Sequence, residues 1–164
     1  MFVVLIAVVV GLALLWLFLR RRSGDGPQVT VTDIPDGVAH LQHSGKDHAF
    51  LVFLFVPPDR RDGEAINLQY SIDGGQLGLD WVLLSPANVA DRDRLEAFVN
   101  GKGHALREQH ENGVRFLRIE DGDLAVLGVQ IARDLYRLDP STPLNTIVED
   151  FEWTPARSAN PKGS

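Results

Sequence analysis

Apolar and polar positions change period several times along the chain, and each change predicts an element. Phe2 to Leu19 reads FVVLIAVVVGLALLWLFL, with no polar or charged side chain. As a helix this run is about 27 Å long, close to the hydrocarbon thickness of a bilayer, so a single N-terminal transmembrane helix is predicted. Val29–Ile34 alternates as V-T-V-T and predicts a short strand ended by Pro35-Asp36-Gly37, with a second short strand at Val38–Gln42. Ala49–Val56 (AFLVFLFV) is a continuous apolar run closed by Pro57-Pro58, the pattern of a strand buried on both faces.

The next unit is a hairpin. Ile66, Leu68, Tyr70 and Ile72 alternate with polar residues, Gly74-Gly75 supplies a two-residue turn, and Leu77, Leu79, Trp81 and Leu83 alternate on the return. In that register Ile72 faces Leu77, Tyr70 faces Leu79, Leu68 faces Trp81 and Ile66 faces Leu83. Ser85-Pro86 reads as an N-cap and first turn, and the stripe Leu95, Phe98, Val99 predicts a helix over about Ala87–Asn100. A second hairpin, His104–Glu111 and Val114–Glu120, turns at Asn112-Gly113; its mixed faces place it at a sheet edge. Asp121 or Asp123 caps a helix with the stripe Leu124, Leu127, Ile131, Leu135, Leu138. Thr142-Pro143 starts a last short helix carrying Leu144, Ile147, Val148 and Phe151 at helical spacing.

Strands joined by tight turns give a mainly antiparallel sheet, packed with two or three helices: an α+β class behind a single transmembrane helix. The expected organisation is an anchor with its basic flank over 1–22, a linker (SGDGPQ) over 23–28, a globular domain over 29–153 and a tail over 154–164. The strand-strand-strand-helix-strand-strand-helix order from about Ala49 to Leu138 resembles the small fold of bacterial secretion chaperones and their stand-alone relatives. The resemblance is one of element order. The leading helix of that family has no counterpart in this reading, and no site residue is carried over from it.

Charge refines the picture. The chain of 164 residues carries 16 Lys and Arg against 22 Asp and Glu, a net −6. Three of the cations, Arg20, Arg21 and Arg22, directly follow the apolar run, with Trp16 just before them where an interfacial aromatic sits. They assign a bacterial inner-membrane, single-pass topology with the lipid bilayer as a partner and the globular domain cytoplasmic. Ala7 and Gly11 form a small-xxx-small pair, a spacing through which two spanning helices can form a homodimer. The remainder is more acidic than the whole, which argues against nucleic acid as a partner. Without cysteine there is no disulfide, thiol nucleophile or thiolate metal site.

Chemistry is sparse. His40, His43 and His48, with Asp36 and Asp47 nearby, are the local cluster of metal-ligating residue types, but H-x2-H-x4-H matches no ligand spacing with a known mechanism. His104 and His110 lack an obvious orienting carboxylate. The glycine pairs are turns rather than phosphate loops, and no serine lies in a nucleophile elbow. No cofactor and no metal is therefore predicted. The sequence reads as a non-catalytic protein-interaction module, adaptor or chaperone-like, with an unidentified protein partner. The alternative is a small membrane-tethered metal-dependent hydrolase built on His40, His43 and His48.

Overall fold

The computed structural model describes residues 29–61 and 64–155. Helix α1 (Ile34–Ser44) leads, entered through a 3-10 turn at Val31–Asp33. Strands β1 (Phe50–Phe55), β2 (Ile66–Asp73) and β3 (Gln76–Val82) follow. Helices α2 (Pro86–Ala90) and α3 (Arg92–Gly101) precede the hairpin β4 (Arg107–Glu111) and β5 (Val114–Ile119). Helix α4 (Leu124–Gln130) runs into a π-turn at Ile131–Leu135, and β6 (Asn145–Glu149) closes the order. The six strands form one antiparallel sheet in the order β4-β5-β3-β2-β1-β6.

The membrane expectation is corrected. Among the described residues no helix is long and apolar enough to cross a membrane. The longest, α1, has 11 residues, about 16 Å against the ~30 Å a span requires. The described residues form an α+β domain with no transmembrane helix among them, and the single-pass inner-membrane assignment is withdrawn. The stretch that prompted it, with Ala7, Gly11, Trp16 and Arg20, Arg21 and Arg22, lies outside the described residues, as do the linker at 23–28 and the tail from 156.

Two further expectations change. Val29–Gln42 holds a helix where two strands were predicted. Ile34, Val38 and Leu41 fall at i, i+4 and i+7 and all are buried, a helical period that overrides the short V-T-V-T alternation. Pro35 sits in the first turn, where a missing N–H costs nothing. Asp33 accepts from the Thr30 N–H (2.8 Å) and hydroxyl (2.7 Å), fixing the entry. Conversely, the predicted last helix is strand β6. Its apolar residues match a helical spacing, but β1 is apolar on both faces and needs a partner along its outer edge. β6 supplies it, with Leu51 opposite Val148 and Val52 opposite Ile147.

The Gly74-Gly75 hairpin has the expected register at Ile72–Leu77 and Tyr70–Leu79. Pairing with β2 ends at Gln69–Asp80, so the expected pairs Leu68–Trp81 and Ile66–Leu83 do not form, while the other edge of β3 runs on along β5 to Val82 opposite Phe116. The buried side chain of Asn88 takes over the vacated place beside β2. Its amide accepts from the Asn67 N–H (3.0 Å) and donates to the Asn67 carbonyl (2.8 Å), as a neighbouring strand would. Ser85 caps α2 as expected, accepting from the Asn88 N–H at 3.0 Å. The single predicted helix over Ala87–Asn100 is broken at Asp91. Its carboxylate accepts from Arg60 (2.5 and 2.6 Å) and from the Tyr136 hydroxyl (2.7 Å), which ties the β1–β2 connection and the α4 side to α3. Asp123, not Asp121, caps α4.

All the longer helices pack on one face of the sheet. That face buries Leu51, Phe53, Phe55, Ile66, Leu68, Tyr70, Leu79, Trp81, Leu117 and Ile119 against Ile34, Leu41, Leu95, Val99, Leu127 and Ile131. Trp81 is core and donates to the Asn88 carbonyl at 2.9 Å. Trp153 closes the core edge beside Phe53 and donates to Asp36 at 2.8 Å.

Both tyrosines sit in this core. Tyr70 donates to the Leu124 carbonyl at 3.1 Å. Burial raises both phenols above their ordinary value of 10.0, with Asp123 adding to the effect at Tyr70 and Asp91 at Tyr136. The folded chain thus holds these protons more tightly than the unfolded one. Their contribution is complete below about pH 10 and is lost as pH rises beyond it, by at most about 1.4 kcal/mol per pH unit per tyrosine. Urea unfolding at a series of alkaline pH values should show this slope, and Tyr136→Phe should roughly halve it. A profile flat above about pH 10 would contradict the burial of both groups.

Candidate functional site

With the helices on one side, the opposite face of the sheet is left as a groove of about 450 Å³. Among the described residues, none that belongs to a helix lines it. Because side chains alternate along a strand, register places its residues in rows across the sheet. One row is Glu149, Phe50, Ser71 and Gly78; the next is Ile147, Val52, Gln69, Asp80 and Arg118; the third is Leu54 and Asn67, then Val82 and Phe116. The groove therefore has an apolar wall on β6 and β1, a polar floor on β2 and β3, and a second apolar wall made by Val82, Leu84, Val114 and Phe116.

Arg118 lies in the floor, 3% exposed. Its Nη1 donates to both Asp80 oxygens (2.8 and 3.0 Å) and to the Ser71 hydroxyl (2.9 Å). Its Nε donates to Glu120 (2.7 Å) and its Nη2 to the Gln76 carbonyl (3.2 Å). Ser71 in turn donates to Asp80. Burial pushes the Asp80 carboxyl upward against the opposing pull of Arg118 and Ser71. The network joins β2, β3 and β5 across the sheet. The space for the guanidinium comes from Gly78, where any Cβ would overlap it. With every group committed to its neighbours, this is a cross-strand bolt and not a nucleophile with a free base. Asn67 also lines the groove, and its buried side-chain oxygen has no partner among the described residues.

The two ends of the groove differ. At the β2–β3 turn end stand Asp47, His48, Asp73, Glu149 and Asp150, all exposed; at the other stand Glu111 and Asn112 with Leu84 and Val114. His48 and Asp150 adopt left-handed backbone conformations (φ 71° and 62°) just outside β1 and β6.

The three histidines singled out in the sequence do not gather. His40 and His43 lie exposed on α1, and the His40 ring faces Asp36, Nδ1 to a carboxylate oxygen at 3.6 Å. Only His48 reaches the groove, 3.5 Å from Asp47. The ligand atoms of Asp47, His48 and Asp73 lie within 4.8 Å of one another, but all three residues are solvated. His104 Nδ1 lies 3.0 Å from the Asp121 carbonyl oxygen, and His110 is exposed on β4. What sequence reasoning missed is the groove itself. Its signals were present, in the outward residues Val52, Leu54, Val82 and Phe116 and in Arg118 among apolar neighbours, but they become a surface only once strand order is known. Searches against protein-family models, curated proteins and solved structures find no match to this chain.

The bolt is open to test by chemical unfolding. Arg118→Met leaves Asp80 buried and unpaired and should cost about 3–5 kcal/mol. Gly78→Ala, by overpacking the same place, should cost about 1–3 kcal/mol. The double change Asp80→Val with Arg118→Met should recover most of the single-variant loss. Additive losses would show that the two groups are not coupled.

Proposed function

We propose that this domain is a non-catalytic protein-interaction module, adaptor or chaperone-like, that receives a segment of a partner protein on the open face of its sheet. One observation carries the reading. An antiparallel sheet with a free face ordinarily presents polar side chains there, whereas this trough is lined by the partly exposed Phe50, Leu84, Val114, Phe116 and Ile147 over the buried Val52, Leu54 and Val82. A contiguous apolar concavity rimmed by polar residues is the signature of a contact surface. With α1 in front, the described chain runs helix, three strands, helices, two strands, helix and a last strand. The hydrolase alternative needs His40, His43 and His48 around a common point, and their placement does not favour it.

The test is hydrogen exchange with an uncharged amphipathic probe, a 14-residue peptide of leucine and serine. Binding should slow exchange in 50–55, 114–119 and 145–149 and leave α1, α3 and α4 unchanged. The double variant Phe116→Ser with Ile147→Ser removes partly exposed groove side chains and should weaken binding at least tenfold, about 1.4 kcal/mol. Protection on the helical face, or no binding, would reject the proposal.

A further inference from the structure

Resting on that reading, we infer that the occupant of the groove is a partner segment that is apolar along most of its length and basic at one end. The argument is charge complementarity. The lining residues include the acids Asp47, Asp73, Asp80, Glu111, Glu149 and Asp150, and one cation, Arg118. That cation is buried and already engaged by Asp80 and Glu120, so it offers no attraction to a ligand. The ion pairs among the described residues include none of Asp73, Glu149, Asp150 or Glu111, and Asp47 meets only His48. Three carboxylates outside any ion pair among the described residues, Asp73, Glu149 and Asp150, with Asp47 beside His48, therefore crowd the β2–β3 turn end, directly continuous with the apolar wall of Phe50, Val52 and Ile147. Arginine or lysine in an occupant would meet them with charge-assisted hydrogen bonds, and its methylene stem would cover the adjoining Phe50.

Size agrees with a peptide. From the Glu149 row to the Val114 end the groove follows about four to six strand residues, roughly 13–20 Å, the length of a short extended segment or about ten residues of helix. The acidic end opposes the other candidates. A second copy meeting it through the same face brings the same acids, and an anionic lipid surface or a nucleic acid is repelled.

Fluorescence anisotropy on the full chain tests this with three 12-residue probes sharing nine leucine and alanine residues and differing in the terminal three: Lys-Arg-Lys, Ser-Gly-Ser or Glu-Asp-Glu. The basic probe should bind at least tenfold more tightly than the uncharged one at low salt, with the gap closing in high salt. Asp73→Lys with Glu149→Lys, both surface changes, should erase the preference for the basic probe over the uncharged one. Equal binding of basic and uncharged probes, or a preference for the acidic one, overturns this inference and leaves the groove reading standing. Failure of all three probes rejects both. Basic-probe binding that ignores Phe116→Ser with Ile147→Ser is bulk charge attraction and overturns the inference, as does tighter binding to anionic lipid vesicles than to any probe.

Discussion

A guanidinium set into a sheet face must be neutralised before that face can be formed. Arg118 meets the requirement with Asp80 and Glu120, a serine hydroxyl and a backbone carbonyl, and the positions of three strands follow from it. Gly78 is the matching constraint on β3, since only a residue without Cβ leaves room for the side chain beside it. The bolt occupies the centre of the groove, so the two apolar walls stand apart and do not collapse on each other. A wholly apolar floor would invite closure or self-association of the face. A buried ion pair adds little net stability; here it fixes which strands are neighbours and keeps a polar strip between two greasy ones.

The two faces of the sheet thus do different work. One is filled by α1, α3 and α4 and holds the core. The other carries the groove, and in the proposed reading it is completed from outside by a segment whose sign its acidic end selects. The chain order accommodates this division: α1 precedes the sheet, α2 and α3 lie between β3 and β4, and α4 lies between β5 and β6, while β2–β3 and β4–β5 are joined by tight turns.

Much of this was legible before strand order was known. The glycine hairpin, the Asn112-Gly113 turn, the Ser85 and Asp123 caps and the two-sided burial of β1 each depend on residues close in sequence, and each was found where local chemistry placed it. The errors share a cause. Residues 29–42 and 142–151 each carry two periodicities, and the choice between them was made by distant partners: the core face for Ile34, Val38 and Leu41, the bare edge of β1 for Ile147 and Val148. The break at Asp91 was hidden because it depends on Arg60 and Tyr136, far away in the chain. The histidines drew notice as a residue type, but three rings on a helix face and a loop have no reason to converge. The groove could not be read at all, because its walls come from β1, β3, β5 and β6.

The position of β6 also has a consequence for how the chain is made. β1 is among the first strands to leave the ribosome, while the strand that covers its outer edge is the last. Between those two moments an edge reading Phe-Leu-Val-Phe-Leu-Phe has no lateral neighbour on one side, a template for intermolecular pairing of the kind proteins normally blunt with charge or proline. Nascent chains of this protein therefore pass through an interval of sticky exposure that ends only when residue 149 is free to dock, and any truncation upstream of it makes that interval permanent.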